Sequence, residues 1–174
     1  MADKPQSEFL PLNIVVVTVS DTRTEATDTS GHFLQEAVVS AGHHLAGKHI
    51  CKDDVYKLRA LVAGLIAEDT VHVVLLTGGT GFTKRDNTVL AVTPLLDTHI
   101  DGFGELFRQV SYEEIGTSTI QSRAFAGLSN STAVFCMPGS TSACKTAWHK
   151  ILASQLDNRH RPCNFAGRLL EKSN

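Results

Sequence analysis

Three apolar runs constrain the fold more than any other feature of this sequence. They are Ile14–Val19 (IVVVTV), Val71–Leu76 (VHVVLL) and Ala133–Met137 (AVFCM). None alternates polar with apolar residues, so each predicts a strand buried on both faces, the signature of a parallel sheet covered by helices. Between them lie helical patterns. Phe33, Leu34, Ala37, Val38 and Ala41 recur at helical spacing, with Asp28, Thr29 or Ser30 available as the cap and Gly42 as the stop. Leu45–Cys51 reads as a weaker strand. Val55, Leu58, Leu61, Val62, Leu65 and Ile66 predict a second helix opening just after Asp53-Asp54. A short helix is expected over Thr88–Val92, ending near Pro94. Cys144, Ala147, Trp148, Ile151 and Leu152 form a last helical face, with Trp148 in the core. The stretch 99–130, punctuated by Gly102, Gly104, Gly116 and Gly127, reads as irregular short helical pieces. This rhythm predicts one α/β domain. Its expected limits are 12–165, after a polar flexible lead-in over 1–11 and before a C-terminal tail over 166–174 that is polar apart from Leu169-Leu170.

Composition narrows the function classes. Sixteen Lys and Arg against eighteen Asp and Glu give a net charge of −2, so no bulk field favours nucleic acid or an anionic membrane. The unbroken apolar stretches, Ile14–Val17, Val73–Leu76 and Ala133–Met137 among them, fall far short of the ~20 residues of a bilayer span. The four cysteines form no CxxC pair and the first residues carry no apolar signal core, which predicts a reducing, cytoplasmic setting.

In an open parallel sheet, ligands bind beyond the carboxyl ends of the strands. All three apolar strands end in small polar loops: Thr18–Arg23, Thr77–Asp86 (TGGTGFTKRD) and Pro138–Thr141. In the second, Gly78, Gly79 and Gly81 permit sharp turns that expose N–H groups, a pattern suited to phosphate. Thr77 and Thr80 add hydroxyls, Lys84 and Arg85 add cations, and Asp86 is a carboxylate of the kind that serves a metal ion. The plainer alternative is a flexible turn with Asp86 capping the next helix. Pro138-Gly139-Ser140 has the same two readings, an anion site at a helix start or a simple turn and cap. Asp53 and Asp54 at a helix start are most economically caps. Neither a Gly-Lys-Ser/Thr ending nor a GxGxxG opening is present.

The segments TVSD (18–21), DTSG (28–31), TGGTGFTKRD (77–86), DGFGELFR (101–108), IGTSTIQSRA (115–124) and MPGST (137–141) occur in this order. Together they make the chain resemble the MoaB/MogA family of molybdenum cofactor biosynthesis, the bacterial MoaB branch most of all, over roughly residues 12–165. The resemblance implies a three-layer α/β molybdopterin-binding domain that assembles as a trimer or a dimer of trimers. It also implies adenylyl transfer from Mg-ATP to molybdopterin with release of pyrophosphate, and hand-over to a downstream molybdenum-insertion enzyme. Asp86 and Asp53 (or its neighbour Asp54) would be the catalytic, Mg²⁺-holding acids. The implied substrate- and nucleotide-binding residues are Ser20, Asp21, Thr77, Gly78, Gly79, Thr80, Gly81, Arg85, Glu105, Ser118, Ser122, Pro138, Gly139 and Ser140. One departure stands out: the family's Thr-Pro-Glu after the key aspartate is here Thr88-Val89-Leu90. It supports a second expectation, a non-catalytic molybdopterin-binding or scaffold paralogue.

Overall fold

The computed structural model describes residues 8–173. Six strands form one sheet in the order β2-β1-β3-β6-β5-β4: β1 (Asn13–Val19), β2 (His44–Cys51), β3 (Val73–Thr77), β4 (Thr98–His99), β5 (Phe125–Ser129) and β6 (Thr132–Met137). The four strands from β2 to β6 run parallel, while β5 pairs antiparallel with both β6 and β4. The three predicted buried strands are therefore the central ones, and each is covered on both sides. Alternate residues enter opposite layers. Ile14, Val16, Val73, Leu75, Phe135 and Met137 pack against α1 (Thr29–Ser40), α4 (Asp101–Ile115) and α5 (Thr141–Ala147). Val15, Val17, Val74, Leu76, Val134 and Cys136 pack against α2 (Val55–Ala67) and α3 (Thr88–Val92). The result is a three-layer α/β sandwich. Among the described residues no helix is long and apolar enough to cross a membrane.

Local chemistry explains the helix starts. The Asp28 carboxylate caps α1 by accepting the Gly31 N–H at 2.9 Å, and the Thr18 hydroxyl reaches its other oxygen at 2.7 Å. Gly31 is required there, because a Cβ would stand 2.1 Å from Asp28 Oδ2. Burial alone would raise the Asp28 carboxyl; donation from Thr18, Gly31 and Lys48 outweighs it and holds the group below the usual range. Asp54 caps α2, accepting the N–H groups of Tyr56 and Lys57 at 3.0 and 2.9 Å.

Two regions differ from expectation. Residues 99–130 are regular: α4 runs unbroken through Gly102 and Gly104, and a 3₁₀ segment (Gly116–Gln121) leads into β5. Gly104 is not a turn glycine. It lets α4 approach β5, where a Cβ would meet the Ala124 carbonyl at 2.5 Å. The polar tail after 165 also contributes to the core. After α5 the helix continues through a π segment (Trp148–Leu152) and one α turn, α6 (Ala153–Gln155); α7 (Ala166–Leu170) then buries Ala166 and Leu169 completely. Of the expected lead-in, residues 1–7 lie outside the described residues. Its last part is anchored, with Asn158 bonding Leu10 N and Glu8 O at 2.8 Å each.

Candidate functional site

Register brings the loops together. Thr18 pairs with both Ile50 and Thr77, and Thr77 pairs with Met137, so β1, β2, β3 and β6 end at one rim. The loop after β3 turns at Gly78 (φ +109°) and Gly79 (φ +68°). A Cβ on Gly78 would stand 2.3 Å from the Val19 carbonyl, and one on Gly139 would stand 3.1 Å from Gly78 Cα. These glycines let three loops meet at backbone distance.

The rest of the loop is organised by Asp86. Its Oδ1 accepts the Gly81 N–H at 3.0 Å, and its Oδ2 accepts the Thr83 N–H and hydroxyl at 2.8 and 2.6 Å. Gly81 makes room for it, since a Cβ there would crowd the carboxylate at 2.9 Å. Asp86 is thus not the cap of α3; that position belongs to Asn87, whose side chain makes no capping bond. Partial burial pushes the Asp86 carboxyl up, but the Thr83 and Gly81 donors and the Arg123 charge together hold it below the ordinary range.

Asp53 stands behind the loop. It is buried, its Oδ1 accepts the Asn87 N–H at 2.9 Å, and its own N–H donates to Asp21 Oδ1 at 3.2 Å. Burial raises its carboxyl above the usual range against the lowering effect of Asn87, and the negative charges of Asp86 and Asp21 raise it further. Geometry separates the two adjacent acids: Asp54 is exposed and engaged with its own helix, while Asp53 faces the glycine loop.

A cavity of about 440 Å³ opens in front of this loop. It gathers Gly78, Gly79, Thr80, Gly81, Asp86, Ser118, Ser122, Pro138, Gly139 and Ser140 from the sequence-based set. The other predicted residues lie elsewhere. The Thr77 hydroxyl is buried and donates to the Pro138 carbonyl at 3.0 Å. Ser20 Oγ accepts the Thr22 and Arg23 N–H groups. Arg85 is paired with the Asp21 carboxylate, its Nε lying 2.9 Å from Oδ2, which lowers the Asp21 pKa and raises its own. Ser140, in the cavity wall, also caps α5 by accepting the Ala143 N–H at 3.1 Å. Glu105 does not line the cavity. It borders a separate depression with His99, Asp101 and Arg108. The reason is helical phase: Phe107, Ser111, Glu114 and Ile115 of α4 face the cavity, and Glu105 stands about 200° around the helix from Phe107.

Sequence reasoning missed several wall residues. Phe107 supplies an apolar surface, and Glu114 holds the Thr146 hydroxyl at 2.8 and 3.0 Å from its carboxylate oxygens. The α4 periodicity would have shown them had the glycines not suggested turns. Arg123 was also missed: its guanidinium binds the carbonyls of Thr80, Gly81 and Asp86 and lies 4.9 Å over the Phe82 ring. Among the described residues no three His, Cys, Asp or Glu side chains converge as a ready metal cage. A cation here would need phosphate and water as further ligands, as Mg²⁺ commonly does.

The family described as "Probable molybdopterin binding domain" matches residues 15–158. The chain is 55% identical to molybdenum cofactor biosynthesis protein B of Escherichia coli strain K12 over 159 residues, covering 91% of this chain and 94% of that protein. A crystal structure of a molybdenum cofactor biosynthesis protein B superposes with a TM-score of 0.84 at 42% identity, covering 94% of this chain and 96% of the other. The tungsten cofactor synthesizing protein MoaB from Pyrococcus furiosus superposes with a TM-score of 0.73 at 36% identity, covering 83% and 92%.

Proposed function

Since this chain belongs to the molybdopterin-binding domain family of molybdenum cofactor biosynthesis, we propose that it joins molybdopterin to the adenylyl group of Mg-ATP and releases pyrophosphate. The observation that carries this reading is the pairing of one cavity with two carboxylates. The cavity, about 440 Å³, is of the size that encloses a cofactor-like ligand. Asp86 lines it, and Asp53 stands directly behind the same loop.

The reaction asks for positioning and charge neutralisation more than for covalent help from the protein. The terminal phosphate of molybdopterin would attack the α-phosphorus of ATP as the bond to pyrophosphate breaks. Gly78, Gly79 and Gly139 let the polyphosphate approach the backbone, while Ser118, Ser122 and Ser140 offer hydroxyls. Phe107, buried at the inner wall, adds apolar lining on the side away from the phosphates. Asp86 and Asp53 would hold Mg²⁺, which, when bound, neutralises charge on the phosphates. The donor set fits: two carboxylates from neighbouring loops meet at the glycine turn, and the Asp53 carboxyl, raised chiefly by burial and further by the charges of Asp86 and Asp21, is one that a divalent cation would hold ionised. Lys84 is exposed beside the loop and completes the cationic side. Homo-oligomerisation, as trimer or dimer of trimers, is supported by exposed Leu106, Tyr112, Ile115 and Ile120 on and after α4. The product would pass to a molybdenum-insertion enzyme.

A second reading, a non-catalytic molybdopterin-binding or scaffold protein, is favoured by one observation. Leu90, where the family carries glutamate, is an exposed apolar side chain and offers no polar group. Mixing the purified protein with molybdopterin, Mg²⁺ and ATP separates the two. Adenylylated product and pyrophosphate support transfer; binding of molybdopterin without product supports the scaffold.

A further inference from the structure

Asp53 and Asp86 come from different loops, yet both are held from the same point. Asp86 Oδ1 accepts the N–H of Gly81 at 3.0 Å, and Asp53 Oδ1 accepts the N–H of Asn87 at 2.9 Å. Those N–H groups belong to the peptide units 80–81 and 86–87. The oxygen end of each unit binds Arg123. Thr80 O accepts from the Arg123 backbone N–H at 3.1 Å and from Nε at 3.4 Å; Asp86 O accepts from Nη2 at 3.0 Å. Among the described residues only Arg161–Pro162 is a cis bond, so both units are trans and their N–H and C=O groups point in opposite directions. A cation at the oxygen end and a carboxylate at the nitrogen end therefore align with the same peptide dipole. Nη2 also donates to Gly81 O, and the guanidinium carbon lies 4.9 Å from the Phe82 ring centroid, within reach of a cation–π contact.

We propose that Arg123 is the positioning residue for both carboxylates. By gripping the carbonyls of peptides 80–81 and 86–87, it aims their N–H groups at Asp86 and Asp53. The side chain suits the task. A planar fork donates in several directions at once, whereas a lysine ammonium is a single point on a flexible stem. Arg123 enters just before β5, so the grip is set by the sheet and not by the loop it holds. The reaction it would serve is the adenylyl transfer proposed above, but the grip itself does not depend on that reading.

The test uses the full chain with Arg123→Lys and Arg123→Gln. Amide exchange at Asn87, whose peptide unit is held by the side chain alone, should accelerate about tenfold or more by NMR, as local opening requires, and exchange at Gly81, still held by the Arg123 backbone N–H, should rise less. The Gly78 N–H, bonded to the Met137 carbonyl at 3.0 Å, should stay protected in both variants. In the adenylylation assay kcat should fall about 10–100-fold, with KM for ATP held within about threefold, as for supporting residues around a metal or catalytic site. Unchanged exchange at Asn87 would overturn the assignment, as would a loss confined to KM. Unfolding of both variants would overturn it too, by making Arg123 a residue of the fold. If the wild-type chain shows no turnover, the adenylyl-transfer reading fails, and the amide exchange alone decides the role of Arg123.

Discussion

Asn87 holds Asp53 from two sides: its backbone N–H donates to the carboxylate at 2.9 Å, and its side-chain amide donates to the Asp53 carbonyl at 3.0 Å. The residue after Asp86 thus ties the glycine loop to the acid that precedes α2. Asn87→Ala keeps the first bond and loses the second. It should cost about 1 kcal/mol of stability by denaturant unfolding, the worth of one hydrogen bond. In the adenylylation assay it should lower kcat by about tenfold, as loss of a supporting partner does.

Asp53→Asn should separate stability from activity. The carboxyl is raised by burial first and by Asp86 and Asp21 next, so the folded state holds its proton to higher pH than the unfolded chain. Ionised Asp53 therefore opposes folding above its unfolded pKa, and at neutral pH the neutral amide removes that cost. An asparagine oxygen can still accept the Asn87 N–H. The variant should melt at or above the wild-type temperature by calorimetry, while turnover falls about a hundredfold or more, as for loss of a charge-positioning group.

How much of this was legible beforehand depended on where each signal resides. The central strands were visible because burial on both faces leaves no alternation, and the glycine loop because Gly78 and Gly79 carry positive φ and close contacts. The helix α4 was not, because Gly104 reads as a turn residue; its real cause is the Ala124 carbonyl, which no local pattern reveals. Leu169 lay in a polar stretch, and only tertiary packing made it core. Glu105 lies outside the cavity because helical phase, hidden along with α4, decides which side chains reach it. Arg123 acts on backbone carbonyls, a partner that residue types cannot advertise.

Gly78→Ala should damage the rim directly. The new Cβ would face the Val19 carbonyl at 2.3 Å on a backbone with φ +109°. A loss of about 3 kcal/mol is expected from strain at such a position, read from the urea midpoint. Gly64→Ala is the control: a Cβ there meets nothing within 4 Å, and the variant should match or exceed wild-type stability.

Two buried histidines set an acid limit. His43 Nδ1 accepts the Leu12 N–H at 3.1 Å, and His72 Nδ1 accepts the Asn13 N–H at 2.9 Å, so both support the entry to β1 as neutral rings. Burial lowers both pKa values; Lys172 lowers His72 further, His44 adds to His43, and Asp157 opposes the shift at His43. Their stabilisation is complete above the ordinary value of about 6.5 and is lost as pH falls toward the lowered folded values. Melting temperature should decline below about pH 6.5. In His43→Asn/His72→Asn, whose amide oxygens can accept the same N–H groups, that decline should be flatter. An equally steep decline in the double variant would place the acid limit elsewhere.

The most direct test of adenylyl transfer is a comparison of wild type with Asp86→Asn in molybdopterin, Mg²⁺ and ATP, with product identified by mass and pyrophosphate counted. Wild type should form adenylylated molybdopterin and pyrophosphate in equal amounts, and Asp86→Asn should fall at least about a hundredfold while staying folded. No product from folded wild-type protein with competent substrate, or equal turnover by Asp86→Asn, would contradict it.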